Sequence, residues 1–341
     1  MAPSSHPSNW RGPTITEIAE LAGVGTASVD RVMNNRPGVK EKTRQRVMNA
    51  YNKLMLERGE GGTLDLRLFC ESGEGFNEAM KRAAVEANRT VPGILITPYF
   101  ETTSDLDPIR FARRMQDDGA AAQGVILVAR EHPAINRAAR ALMAQGVPVV
   151  CLTTDLPSSR RATYIGNDQH AAGSVAAHLI GQTLPDAPGR ILLVMSETFR
   201  CQQEREMGFR RVLRANFPKL KIEERLLSDD RAETIRAQML AHFDASGFPD
   251  AVYNTAGANR GVAQALTERG AADVIFVGHE LTVHSKALLE NGVMDYLISH
   301  DFAGEMAQAA RWILQTRKGA SSDPLPSQIL IHTRFNCDLQ T

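Results

Sequence analysis

The chain has 341 residues, which is too long for one compact domain and fits two or three domains of ordinary size. Hydrophobic residues make up 43% and charged residues 23% of the sequence, a balance typical of a globular protein with a substantial core. No apolar run approaches the roughly 20 residues of a membrane-spanning helix. The N-terminal segment MAPSSHPSNWRGP has no apolar stretch, so it does not read as a secretory signal. We therefore expect a cytoplasmic protein that does not engage a membrane, with its four scattered cysteines as structural thiols.

Basic residues concentrate in one short segment, although positive and negative residues balance over the whole chain. Between Arg31 and Lys53 there are seven positive residues and one negative residue. A basic patch confined to one small unit is the electrostatic footprint of binding to the phosphate backbone of nucleic acid. The patch indicates DNA binding if the same segment also forms a helix that can enter a groove of the duplex.

The segment that contains this patch carries the pattern of three short helices. Thr14 and Glu17 form a capping box, which predicts the start of a helix directly after Thr14. Gly23 predicts a tight turn, and a second helix with short polar outward positions follows from about residue 26 to 34. A third helix is expected from about Glu41, and all three carry apolar residues at helical spacing. We predict a helix-turn-helix that places its second helix in the major groove of double-stranded DNA.

The segment TITEIAELAGVGTASVDRVMNNRPGVKEKTRQRV resembles the DNA-binding headpiece of the lactose/galactose-repressor family of bacterial transcriptional regulators. The resemblance extends over almost the whole chain. It implies that Thr26 and Ala27 read bases at the start of the recognition helix and that Arg31 reaches a base edge. It also implies phosphate contacts for Thr14, Ser28, Asn34 and Thr43.

Two features depart from the pattern of that family. Asp30 stands where many members carry Ser, and its carboxylate would be repelled by phosphate unless Arg31 or Arg36 neutralises it. After the third helix, NKLMLERGEGG lacks the Tyr-x-Pro-Asn-x-x-Ala pattern with which most members form a hinge helix. We interpret GEGG as a flexible linker, which argues against the minor-groove wedging that a hinge helix performs.

From Leu64 onward, short apolar strands alternate with amphipathic helices, as in a doubly wound parallel sheet. Two groups of predicted strands indicate two similar lobes, and we interpret the closing segment SQILIHTRFN as a crossing strand. The fold class is therefore α plus α/β, and the two-lobed part resembles the periplasmic sugar-binding proteins, whose fold the same family uses. The expected domains are a disordered N-terminus (1–13), a helix-turn-helix domain (14–57), a linker (58–63) and a two-lobed effector domain (64–341).

Ligands of such sheets bind at the carboxyl ends of the strands, between the lobes. The ligand-binding candidates at these positions are Phe76, Glu131, Arg205, Asn254, Glu280 and His300. The resemblance implies that Arg205 grips the ligand and that Glu280 and His300 bind sugar hydroxyls. It also implies that Phe76 stacks on a sugar ring. Charged and planar side chains suit a sugar or a related small polar molecule. Structural roles stay open, with Phe76 as core filler and His300 as a core histidine whose hydrogen bonds are satisfied.

Two other classes of protein fit the sequence less well. The loop GANRG, from Gly257 to Gly261, lacks the G-x-G-x-x-G spacing of a dinucleotide site, and no GxSxG, HExxH or Walker motif occurs. An exported ligand carrier would have a signal peptide and no headpiece. We therefore predict a ligand-responsive regulator, a repressor rather than an enzyme, without a cofactor or metal, that binds operator DNA as a homodimer. Whether the ligand induces or co-represses, and whether dimers form tetramers, stays open.

Overall fold

A computed structural model describes residues 13–34, 36–57, 63–196, 199–317, 319 and 323–338 of the chain. Residues 1–12 of the predicted disordered N-terminus and residues 58–62 of the predicted linker lie outside the described residues, so both interpretations stay predictions. The chain divides into two compact units, one of residues 1–65 with 88–95 and one of residues 66–87 with 96–341.

The headpiece (residues 14–57) contains the three predicted helices, α1 (Ile15–Ala22), α2 (Thr26–Met33) and α3 (Glu41–Glu57). The capping box is formed, because the Thr14 hydroxyl accepts a hydrogen bond from the Glu17 backbone N–H and the Glu17 carboxylate accepts one from the Thr14 N–H. These bonds satisfy two of the backbone donors that a helix start leaves free. The prediction of a helix from Ile15 is confirmed.

The headpiece core takes one or more apolar residues from each helix. Ile18, Val29 and Val47 are at most 1% exposed. The helical spacing of Val29, Val32 and Met33 predicts all three on the inner face of α2, but Met33, the last residue of that helix, is 39% exposed.

The turn between α1 and α2 is held by α3 as well as by its glycine. Gly23 ends α1 in the left-handed conformation, with φ 59°. Arg46 of α3 donates hydrogen bonds to the carbonyl oxygens of Ala22 at 2.6 Å and Gly23 at 3.1 Å. One basic residue of the patch therefore supports the fold of the headpiece.

The first lobe has a five-stranded sheet in the order β2-β1-β3-β4-β5. Its strands are β1 (Leu64–Ser72), β2 (Ile94–Thr102), β3 (Gly124–Val128), β4 (Val149–Leu152) and β5 (Thr163–Ile165). Its helices are α4 (Glu74–Thr90), α5 (Pro108–Ala120) and α6 (Pro133–Ala144). The pairs β1–β3, β3–β4 and β4–β5 are parallel, as the alternation of strands and helices predicted.

The second lobe has a six-stranded sheet in the order β11-β10-β9-β8-β6-β7. Its strands are β6 (Gly189–Met195), β7 (Leu220–Leu227), β8 (Ala251–Asn254), β9 (Ile275–His279), β10 (Tyr296–Ser299) and β11 (Leu330–His332). Its helices are α7 (Gln169–Thr183), α8 (Arg200–Asn216), α9 (Ala232–Ser246), α10 (Asn259–Glu268) and α11 (Val283–Glu290). All pairs are parallel except β10–β11. The sequence analysis predicted neither β5 nor β7.

The chain crosses between the lobes more than once. After β10, helix α12 (Phe302–Arg317) returns to the first lobe, where Arg317 donates a hydrogen bond to the carbonyl of Gln123. The closing segment then bonds beside the end of β5, through the Ser327 N–H and the Gly166 carbonyl, before β11 joins the second sheet. It thus runs from one lobe to the other, as expected for a crossing strand. No helix in the described part of the chain has both the length and the apolar character to span a membrane.

Candidate functional site

The second helix of the headpiece presents the proposed base-reading residues to solvent. Thr26, Ala27 and Arg31 are exposed, and Ser28 is partly buried. Within the described residues, the Arg31 side chain makes no hydrogen bond or ion pair. Its planar guanidinium group, with five N–H donors, is therefore open to an outside partner such as a base edge.

The other proposed DNA contacts have donors that are partly engaged inside the headpiece. The Thr14 hydroxyl donates to the Glu17 carboxylate at 2.7 Å, and the Asn34 amide donates to Asp30. Thr43 lies partly buried in the first turn of α3. A phosphate contact by Thr14 or Asn34 would therefore compete with an existing hydrogen bond.

Asp30 is neutralised within the headpiece. Its carboxylate lies 3.1 Å from Nη1 of Arg36 and accepts a hydrogen bond of 2.8 Å from the Asn34 amide. The sequence analysis named Arg31 and Arg36 as the residues that could neutralise Asp30, and in the structure Arg36 forms this ion pair. The departure from the family pattern is thus compensated locally, and it occupies one of the basic residues of the patch.

A cleft of about 510 Å³ lies between the two lobes. Its walls are formed at the ends of five strands, β1, β2, β7, β8 and β9, and in the segments that follow them. The lining residues are 73–76, 102–105, 229–233, 257–260, 279, 280, 282 and 284. This is the edge at which doubly wound sheets bind ligands. The described residues contain no group of three or more His, Cys, Asp or Glu side chains arranged to hold a metal ion.

Two of the six proposed ligand residues, Glu280 and Phe76, line this cleft directly. Glu280 follows β9 with φ 74°, a left-handed conformation that is rare for a residue with a side chain and often marks functional sites. Phe76 is only 3% exposed, and its ring meets that of Phe302 edge to face at 5.4 Å between centroids. Most of the Phe76 ring therefore contacts protein.

Arg205 lies behind the wall of the cleft. It is 1% exposed, and its guanidinium donates to the Gln169 side chain at 2.8 Å and to the Thr255 carbonyl at 2.9 Å. Its Nη1 atom lies 3.5 Å from the Glu280 carboxylate. In this arrangement, Arg205 holds Glu280 in position and does not line the open space.

The remaining three proposed ligand residues, Glu131, Asn254 and His300, do not line the cleft. Asn254 is fully buried and donates to the side chain of Asn259, which does line it. His300 is buried and shares a hydrogen bond of 2.7 Å with the Glu305 carboxylate. Glu131 accepts a hydrogen bond from the side-chain amide of Asn136 in α6. In each case the hydrogen-bond partner named here belongs to the protein, and of these partners only Asn259 lines the cleft.

Asp230 is a cleft residue that the sequence analysis missed. It follows β7 with φ 65° and accepts a hydrogen bond of 3.1 Å from the Gly257 N–H. Burial, together with the nearby Glu280 carboxylate, raises the pKa of Asp230 to about 6. A signal was present in the sequence, because the pair Asp-Asp follows the apolar residues that end β7, but β7 itself was not predicted.

The two lobes touch across the cleft. A side-chain carbon added to Gly73 of the first lobe would lie 3.4 Å from Cβ of Asp230 in the second. At the lip of the cleft, defined here as Asp105 and Arg231, an ion pair of 3.0 Å joins the lobes. The structure therefore shows the lobes in contact along one side of the cleft.

A buried ion pair lies behind the first-lobe wall, much as Arg205 lies behind Glu280 in the second lobe. Glu71 is fully buried, contacts Nε of Arg130 and accepts a hydrogen bond of 3.1 Å from its backbone N–H. Burial raises the pKa of Glu71, and the positive charge of Arg130 counteracts that rise. Arg130 also donates to the carbonyl of Thr103 in the cleft wall. Each lobe thus fixes its wall with one acid and one arginine.

Comparison with known proteins assigns both parts of the chain. Residues 68–321 match the model of the periplasmic binding protein domain, and residues 14–55 match that of bacterial regulatory proteins, lacI family. The HTH-type transcriptional regulator MalR of Streptomyces coelicolor is 31% identical over 179 residues, which are 49% of this chain and 50% of MalR. The regulator TreR of Salmonella typhimurium is 52% identical over 40 residues, 12% of this chain and 13% of TreR. At most, then, the matched part spans half the length of these curated relatives.

Solved structures share the two-lobed fold. A glucose-galactose binding protein from Geobacillus stearothermophilus superposes with a TM-score of 0.73 at 17% identity, over 81% of this chain and 99% of that one. A myo-inositol binding protein from Caulobacter gives a TM-score of 0.73 at 18% identity, over 82% and 96%. These likenesses confirm the predicted fold class. The chain therefore belongs to the proteins with a periplasmic binding protein domain, and its residues 14–55 match the domain of bacterial regulatory proteins of the lacI family.

Proposed function

We propose that this chain is a transcriptional repressor whose headpiece binds operator DNA and whose cleft binds a sugar or related small polar molecule. The observation that carries the proposal is the presence, in one chain, of a helix-turn-helix and a two-lobed domain with a polar cleft. MalR and TreR, which are similar to this chain, are named as transcriptional regulators. The similar solved structures are named as sugar and inositol binding proteins, which supports a polar ligand.

The headpiece supplies the means of reading DNA. Arg31 is exposed on α2 and its side chain has no partner among the described residues, and short side chains at Thr26 and Ala27 allow α2 to approach the base edges. One helix-turn-helix rarely binds tightly enough alone, so the protein acts as a homodimer on two half-sites in the cytoplasm, where operator DNA is found.

The cleft supplies the means of responding to a ligand. Contacts such as the Asp105–Arg231 ion pair join the lobes, so a ligand that fills the space between them favours the closed arrangement. A ligand changes DNA binding only by the difference in its affinity for two arrangements of the protein. In this proposal the cleft performs no chemistry on the ligand, and the protein is a sensor.

The test is capture of sheared genomic DNA from the source organism by the purified full-length protein, followed by sequencing. We expect enrichment of a short inverted repeat upstream of a few genes, among them genes of transport or catabolism. Arg31→Ala should abolish that enrichment, because it removes the base-edge contact. Arg214→Ala, which removes an exposed arginine of α8 outside the headpiece sequence, should preserve it. Uniform, salt-sensitive retention without a shared motif would overturn the proposal of a sequence-specific regulator.

A further inference from the structure

The cleft is lined by more acidic than basic side chains. Among the described residues, its carboxylates belong to Glu74, Asp105, Asp229, Asp230, Glu233 and Glu280. From the same described set, two guanidinium groups, those of Arg231 and Arg260, line this space. A ligand that enters the cleft therefore meets a surplus of negative charge.

The arginines around the cleft are already paired. Arg231 lies 3.0 Å from Asp105, and Arg260 lies 3.5 Å from Glu233. Arg205, behind the wall, is held by protein acceptors and lies 3.5 Å from Glu280. These pairs neutralise three of the carboxylates and leave no arginine open to an anionic ligand within the described part of the cleft.

These pairs leave three carboxylates over, those of Glu74, Asp229 and Asp230. Glu74 is exposed to solvent and Asp229 lies 4.0 Å from Arg231, so Asp230 is the one considered further. No described Lys, Arg or His side chain lies within ion-pair distance of it, and the groups that stabilise its charge are the neutral Gly257 N–H and the hydroxyls of Thr103 and Ser196. Burial and the like charge of Glu280 raise the pKa of Asp230 to about 6, so its anionic form is poorly compensated at neutral pH. His279 does not supply the missing charge, because burial and the nearby Arg205 lower its pKa well below the usual value.

The rest of the lining suits hydroxyl groups rather than an apolar ring. The side chain of Thr103 is buried in the cleft wall, with its hydroxyl beside the Asp230 carboxylate. Thr102, Ser104 and Asn259 add further polar groups. Phe76 is the single Phe, Tyr or Trp among the described lining residues, and at 3% exposure it offers little surface for stacking.

We infer that the cleft takes a hexose-sized polyhydroxylated amine, whose ammonium group lies beside Asp230 and near Glu280 while its hydroxyls bind the polar walls. The inference rests on the proposed function and narrows its ligand class. An ammonium group supplies the positive charge that Asp230 lacks, and a charge-assisted hydrogen bond to a carboxylate is stronger than a neutral one. A neutral sugar would leave the Asp230 carboxylate buried without a counter-charge.

The test is isothermal titration calorimetry of the full-length protein at neutral pH with matched pairs of ligands. The pairs are glucosamine with glucose, galactosamine with galactose, and mannosamine with mannose. We expect at least one amine to bind about tenfold tighter than its parent sugar, the difference made by one partly desolvated charge pair. Asp230→Asn should remove this preference, and it should fold, because Asn adopts the left-handed conformation more readily than most residues. Asp186→Asn, which makes the same change at an exposed residue outside the cleft, should retain the preference.

Each other outcome overturns part or all of the inference. Equal or tighter binding of a parent sugar would overturn the amine class and leave the proposed function standing. Binding of no member of the panel would overturn a hexose-sized amine, while the capture of operator DNA tests the regulator independently. An amine preference that survives Asp230→Asn would overturn the placement of the ammonium group.

Discussion

Replacing Arg205 with alanine is expected to destabilise the two-lobed domain, beyond any loss of ligand response. The guanidinium group is 1% exposed and binds the Gln169 side chain, the Thr255 carbonyl and the Glu280 carboxylate. Its removal leaves the Glu280 carboxylate, which is 12% exposed, without a counter-charge, and it leaves two buried oxygens without donors. Breaking a buried ion pair from one side costs about 3–5 kcal/mol, so we expect an effect of that size.

The assay is urea denaturation of the full-length protein followed by tryptophan fluorescence. The chain has two tryptophans, and Trp10→Phe in every variant leaves Trp312 of α12 as the reporter of the two-lobed domain. The matched control is Arg210→Ala on the same helix, which removes a half-exposed arginine whose partner Glu206 keeps Arg225. We expect the control to cost less than about 1 kcal/mol.

A second variant separates the charge effect from simple loss of volume. Adding Glu280→Gln to Arg205→Ala removes the uncompensated carboxylate, so it should restore part of the lost free energy of unfolding. The reasoning fails if Arg205→Ala costs no more than Arg210→Ala, or if the added Glu280→Gln deepens the loss. Either result would mean that Arg205 is not the counter-charge of Glu280.

Two further predictions concern Asp230 and Asp30. Because the pKa of Asp230 is raised in the folded protein, its contribution to stability is complete below the unfolded value near 3.8 and is lost as the pH rises through about 6. Asp230→Asn should therefore gain up to about 3 kcal/mol over the parent near pH 8, and the gain should shrink toward pH 4 in urea titrations; a gain independent of pH would contradict this. Asp30→Ala should free Arg36 for phosphate and steepen the dependence of operator affinity on salt by up to about 0.9 in log–log slope. Fluorescence anisotropy with labelled operator DNA over a range of salt measures that slope, and an unchanged slope would show that Asp30 does not occupy Arg36.

The headpiece was predictable from sequence because its signals are local. The capping box of Thr14 and Glu17 and the glycine turn each lie within a few residues of the structure that they specify. The bond from Arg46 to the end of α1 spans more than twenty positions, and no local pattern announces it. The bounds of the helices could therefore be predicted, and the contacts between them could not.

The second sheet shows the opposite case. Strand β7 has the sequence LKIEERLL, in which adjacent glutamates interrupt the alternation of apolar and polar residues. The interruption falls where the register with β6 shifts, between Ile191 and Leu192, so the strand is irregular in structure as well. Because β7 escaped prediction, the strand-end rule was never applied to the residues after it, and Asp230 was missed.

Residue type at a strand end did not determine which side chains reach the cleft. Arg205 and Glu280 were both predicted as ligand contacts, but Arg205 lies behind Glu280 and binds it. Their contact joins residues 75 positions apart, and only the packing of α8 against the sheet decides which of them meets solvent. The edge of the sheet at which the cleft lies could therefore be predicted from sequence. Which side chains line the cleft and which lie behind them could not.

The ion pair at the lip of the cleft also limits how strongly the closed arrangement of the lobes is favoured. Asp105 and Arg231 are 64% and 54% exposed, and an ion pair between such exposed side chains contributes at most about 1 kcal/mol. A contribution of that size changes the ratio of closed to open lobes by a factor of about five, so the ion pair favours the closed arrangement only weakly. In the proposed sensor, a ligand behind so weak a contact would leave the cleft when its concentration falls, so the response would be readily reversible.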